Sequence, residues 1–204
     1  MYKGNKGFIL KFGDFAKTLS LEDWKTTSLE DLDSDTEWVA IVTDDAEAYL
    51  NEINAIVTKM KHPKTCFVID LHPCANYKHL QKLWDNYMMV DRESVEVLLC
   101  FIHHHLVNHS MISFTIQDFR VCSVPYPFVK AVSADIVKDA PIDPNAQAMC
   151  YGLCFEQACG LETSYVNAFA KTTDKIDEDK YVLWSIQYSS DNVIEAIFFY
   201  ERKF

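Results

Sequence analysis

The stretch Thr65-Cys66-Phe67-Val68-Ile69-Asp70-Leu71-His72-Pro73 is a short apolar run that breaks off into Asp70, His72 and Pro73. A second run, Trp38-Val39-Ala40-Ile41-Val42-Thr43, lies upstream and ends in Asp44 and Asp45. Between them Ala46, Tyr49, Leu50, Ile53, Ile56 and Met60 recur at helical spacing, with Asp44 and Glu47 spaced as a capping box. His62-Pro63 stops that helix. Two buried strands joined by one helix predict a βαβ unit with parallel strands. Their C-terminal ends share one edge, the usual site-bearing edge of an open α/β sheet. Here it carries Asp44, Asp45, Asp70 and His72.

Working outward, Gly7–Phe12 reads as a first strand, and Tyr77, Leu80, Leu83, Trp84 and Tyr87 mark one helix face over 76–90. The run Val95–Ile102 fits a helix stripe or a buried strand, and the alternation of the preceding elements favours a third strand. Ile112, Phe114 and Ile116 alternate with Ser113, Thr115 and Gln117, which predicts a strand with one wet face within 111–124. Asp143 as N-cap, Pro144 and Gly160 outline a helix over 144–159, apolar nearly all round and therefore buried. Residues 164–170, 181–188 and 193–202 read as an antiparallel meander, with Ser189–Asn192 as a hairpin link. The expected fold class is α+β. It joins an N-terminal βαβ portion with a short, mostly parallel sheet (1–138) to a C-terminal buried helix on an antiparallel meander (139–204). The two portions are expected to share one core as a single domain.

Composition narrows the chemistry. Apolar residues make up 49% of 204, enough for a real core. Only five glycines occur, with no GxGxxG, Walker-type or GxSxG motif, so nucleotide-loop and nucleophile-elbow chemistry are not expected. The net charge of −11 disfavours nucleic acid and anionic membranes as partners and favours solubility or a basic protein partner. Seven cysteines, most within apolar runs, and no secretory signal point to a reducing, cytoplasmic compartment. Cys150, Cys154 and Cys159 lack the CxxC pairs of a zinc site.

Two function classes remain. The leading expectation is a small acidic binding protein, of the inhibitor or immunity type, that occupies a basic surface and needs no cofactor. Its acidic 20–37 stretch would supply Asp31, Asp33 and Asp35, with Trp24 as anchor. The alternative is a metal-dependent, phosphoesterase-like hydrolase at the strand ends. Asp44, Asp70 and His72 would join His103 and His105 of the cluster His103-His104-His105 around zinc, magnesium or manganese. That alternative requires 95–103 to be a strand, because in a helix His103 and His105 diverge by roughly 200°.

Overall fold

The computed structural model describes residues 7–22, 24–32, 36–60, 65–72, 74–108, 112–136, 139–156, 163–189 and 192–202. The strands are β1 (Gly7–Phe12), β2 (Trp24–Thr26), β3 (Val39–Thr43), β4 (Cys66–Asp70) and β5 (Tyr87–Val90), then β6 (Phe128–Asp135), β7 (Ala148–Glu156), β8 (Tyr181–Ser189) and β9 (Val193–Tyr200). The helices are α1 (Asp14–Thr18), α2 (Leu50–Lys59), α3 (Tyr77–Leu83), α4 (Val95–Ile102), α5 (Ile116–Ser123) and α6 (Thr163–Thr173). A π-helical turn, His103–Val107, extends α4. All nine strands form one sheet in the order β2-β1-β3-β4-β5-β6-β9-β7-β8. Only β9 runs against the others, pairing antiparallel with β6 and β7. The protein is thus a mixed α/β fold on a mostly parallel sheet, with the expected βαβ unit β3-α2-β4 inside it.

The sheet is covered on both faces, which is why β3 and β4 read as unbroken apolar runs. On one face Ile53 and Ile56 of α2, Leu80 of α3 and Phe169 of α6 pack on Val39, Ile41, Val68, Tyr151 and Leu153. On the other, Ala16 of α1, most of α4 and Phe119 of α5 pack on Ala40, Val42, Phe67, Val129 and Cys150. The chain steps in one direction along the sheet from β3 to β6. Its β5-to-β6 crossover nevertheless passes over the opposite face from α2 and α3, so it has the opposite hand. That exceptional crossover lays α4 and the π turn over the C-terminal third of the sheet.

Several expectations are corrected here. Residues 95–102 are helix, not a third strand: Val95, Leu98, Leu99, Phe101 and Ile102 are all buried, so their apolar run reflects burial on several sides. The helix expected over 76–90 ends at Leu83 and gives way to β5. The alternating 111–124 stretch closes into α5, because Thr115 and Asp118 form a reciprocal capping box. The helix expected over 144–159 is β7, whose apolar residues point to both covered faces; Gly160 lies outside the described residues. Asp143 makes a turn instead, its Oδ1 accepting from Asn145 N at 2.9 Å. The antiparallel meander is absent: 163–173 is helical, β7 pairs parallel with β8, and β7 separates β8 from β9.

Candidate metal centre

Gly152 lies near the middle of β7, flanked across the sheet by Ser185 of β8 and Glu195 of β9. Cys154 stands two residues along, on the same face. Above this row the π turn brings His104 and His105 down onto the sheet. The turn closes with Asn108 N donating to His103 O at 3.0 Å, the i-to-i+5 bond of a π-helix, a geometry common at functional sites.

Four donor atoms converge: one ligand atom each from His104, His105, Cys154 and Glu195, all within 4.8 Å of one another. His104 Nδ1 is 3.2 Å from Glu195 Oε1, and His105 Nε2 is 3.3 Å from Glu195 Oε2. Cys154 Sγ is 3.8 Å from His104 Nδ1, 3.5 Å from His105 Nε2 and 3.9 Å from Glu195 Oε2. A tetrahedral ion with bonds of about 2.0–2.3 Å holds its donors about 3.3–3.6 Å apart, so only small shifts separate this cluster from such a shell. Behind the ring, Ser185 Oγ lies 2.7 Å from His105 Nδ1. A Cβ on Gly152 would fall 2.0 Å from His105 Nε2, so only glycine lets the ring lie against β7.

Burial shapes the electrostatics. Desolvation holds the His105 imidazole below its ordinary pKa, although Glu195 pulls the other way. Desolvation raises the Glu195 carboxyl, but hydrogen bonds from His104 and His105 outweigh it and leave the pKa below normal. The centre therefore pairs an ionised carboxylate with an imidazole at His105 that burial keeps neutral, forms that bind a metal. The His104 side chain is 20% exposed, which leaves an entry path from solvent.

Ser185, His105 and Glu195 also stand in nucleophile–base–acid sequence, with Cys154 nearby. Both nucleophile candidates are fully buried. The two described cavities, about 300 Å³ lined by Lys130, Asp143 and Tyr200 among others and about 690 Å³ lined by Leu29, Asn54 and Lys59 among others, open elsewhere and reach neither nucleophile.

The expected edge site is taken apart by the same geometry. Asp44 accepts from Phe15 N and Ala16 N at 2.9 and 3.0 Å, capping α1 rather than α2. Gly13, at φ 99°, allows that approach, since a Cβ there would meet the Asp44 carboxyl at 2.5 Å. Asp44 thereby fills the crevice between β1 and β3, where the strand order reverses and open sheets bind ligands. Asp70 is buried and accepts from Tyr87 Oη, His72 N and Ala46 N at 2.7, 3.1 and 3.3 Å. The His72 side chain is exposed in the loop beyond. Asp70 is not among the donors that converge on His105, and its oxygens are taken by Tyr87, His72 and Ala46, so the two residues do not share an ion. His103 turns away from His105, with its ring 5.8 Å from that of Trp24. Of the expected metal residues only His105 stands in the centre.

Trp24, the expected partner anchor, is inside: its Nε1 donates to Leu99 O at 3.1 Å. Asp31 is exposed and accepts from Ser28 Oγ at 2.8 Å, while Asp33 and Asp35 lie outside the described residues. Cys66 is a small core hydrophobe, its thiol pushed up to about 12 by burial. Among the described residues, no helix is long and apolar enough to cross a membrane.

Sequence reasoning missed His104, Cys154 and Glu195. The ligands come from three separated elements, so no spacing motif links them. The usable signal was Glu195 itself, the one charge in the apolar strand Val193-Ile-Glu-Ala-Ile-Phe-Phe-Tyr200.

No protein-family model matches the sequence, and no curated protein matches it. Among solved structures the chain is similar to an empty FtsZ dimer from M. jannaschii, at 9% identity and a TM-score of 0.47, covering 80% of this chain and 63% of that one. A point mutant of the same FtsZ matches at 9% identity and 0.47, over 95% of this chain and 90% of that one. GDP-form protofilaments of TubZ from Bacillus thuringiensis serovar israelensis match at 11% identity and 0.37, over 79% of this chain and 53% of that one. The chain thus spans 63% and 53% of the FtsZ dimer and TubZ chains it matches. Both expected functions are corrected: Trp24, the expected anchor of an inhibitor surface, is buried, and of the expected hydrolase residues only His105 joins a cluster of possible metal donors among the described residues. The likeness is one of layout and transfers no activity.

Proposed function

We propose that this chain is a metal-binding α/β protein in which His104, His105, Cys154 and Glu195 hold one zinc-class divalent ion in a closed, structural site. The observation that carries the reading is the convergence of four chemically suitable donors within 4.8 Å, three of them buried. Two nitrogens, one sulfur and one carboxylate oxygen suit zinc and disfavour magnesium or calcium, which take oxygen ligands. Four protein donors leave no position for a substrate or an activated water, so the ion clamps rather than catalyses. Bound there, it adds metal bonds to the polar contacts that already join the π turn to β7 and β9. A thiol ligand keeps the chain in a reducing, cytoplasmic-type compartment, and the single sheet supports reading 1–204 as one domain.

The test is metal analysis of tag-free protein expressed with zinc and purified without chelator. About one zinc per chain is expected, and substoichiometric metal in Cys154→Ser and Glu195→Gln. Wild-type protein that stays metal-free after reconstitution would sink the reading.

A further inference from the structure

Ser185 takes no part as a ligand, yet it is fully buried and makes the shortest polar contact in the centre, 2.7 Å from His105 Nδ1. A hydroxyl can donate or accept at one position by rotating its proton. With His105 protonated on Nε2, Ser185 donates to Nδ1 while Nε2–H donates to Glu195 Oε2, 3.3 Å away. His104 Nδ1, protonated, supplies the other carboxylate oxygen at 3.2 Å. The polar cluster is then paired without any ion. With the proton on Nδ1 instead, Nδ1–H donates to Ser185, and Nε2 turns its lone pair to the point shared with Cys154 and Glu195. Metal-binding histidines nearly always have such an acceptor behind the ring, and losing it typically weakens binding about 10–100-fold.

We infer that Ser185 is a positioning residue that lets His105 exchange tautomers, so the centre takes up and releases its metal while the fold stays intact. The inference rests on the metal reading above, and it adds that the site is exchangeable rather than required for folding. The space is built for this. Gly152 leaves the ring lying between β7 and Ser185, and the partly exposed His104 gives the ion its route.

The experiment is a cobalt(II) titration of tag-free full-length protein under reductant, followed by the thiolate charge-transfer and tetrahedral ligand-field bands. Far-UV circular dichroism of the chelator-stripped protein is recorded alongside. Ser185→Thr and Ser185→Val form an isosteric pair differing only in the hydroxyl, and both β-branched side chains suit a strand. Wild type and Ser185→Thr are expected to bind one cobalt with closely similar affinity, and Ser185→Val about 10–100-fold more weakly with an unchanged apo spectrum. Stripped wild type should keep its native spectrum and rebind. Equal affinities across the isosteric pair overturn the role of Ser185. Loss of the native fold on stripping overturns exchangeability. A wild type with no tetrahedral cobalt spectrum defeats the metal reading itself, a failure distinct from the other two.

Discussion

At the C-terminal ends of β3 and β4, Asp44 and Asp70 give their lone pairs mainly to backbone N–H groups. Over β7 and β9, Glu195 faces two imidazoles and a thiol. Both regions hold acids near histidines, and only the second is arranged as a ligand shell. A carboxylate that caps a helix or a turn is already satisfied by backbone N–H groups, and a cation would have to displace those bonds. Donors sent inward by separated elements face one another across a shared point, and a cation placed there satisfies all of them at once.

The largest expected effect separates the regions directly. Zinc at 1,000 times its Kd should raise unfolding free energy by about 4.1 kcal/mol, read from the shift in urea midpoint. Glu195→Gln and His105→Ala should lose most of that increment, while Asp44→Asn, Asp70→Asn and His72→Ala keep it. An increment lost in the Asp70 variant and kept in the Glu195 variant would reverse the comparison.

Each region also has a glycine held by a side chain, and the two should fail differently. At Gly13 an added Cβ meets the half-buried Asp44 carboxylate, and the positive φ strains any L side chain there. At Gly152 it meets a buried ring backed by Ser185, so the ring or the strand must shift. Both alanine variants should lose about 1–3 kcal/mol, one through backbone strain and the other through overpacking. Only Gly152→Ala should also lose zinc. Retention of full zinc content by that variant would show that the ring is not held against β7 as described.

The sequence made one of these regions legible and hid the other for a physical reason. Runs 38–43 and 65–70, with the stripe Ile53–Ile56 between them, are local signals, and β3-α2-β4 follows from them. The strand-end acids close those runs, which is why they were visible; that Asp44 caps α1 and Asp70 binds Ala46 N depends on contacts distant in sequence, which the runs do not show. Further along, burial on both faces erases periodicity. In α4 and β7 apolar residues point in every direction, so Val95–Ile102 read as strand and Ala148–Glu156 as helix. Strand order is equally non-local. Nothing in 181–202 announces that β7 slips between β8 and β9, and that insertion sets Glu195 beside Gly152.

The smallest expected effect concerns Asp70, and it sharpens what the edge region is. Desolvation raises its pKa above the ordinary carboxylate value; hydrogen bonds from Tyr87, His72 and Ala46 oppose the rise, and the charge of Asp45 adds to it. In the unfolded chain the group titrates near 3.9. Between that pH and the raised folded value, the folded protein holds a proton that the unfolded chain has released. Stability must therefore fall as pH rises through this window, and the penalty stays constant above it. Asp70→Asn keeps an acceptor for Ala46 N and His72 N, and its amide can donate to Tyr87 Oη, so the contacts survive without the charge. Urea unfolding from pH 4 to 8 should show the variant gaining on the wild type as pH rises through the window, then running parallel to it. Parallel curves throughout would mean that Asp70 is not the buried, satisfied acid described here. A gain that appeared only with zinc present would tie the edge to the metal centre after all.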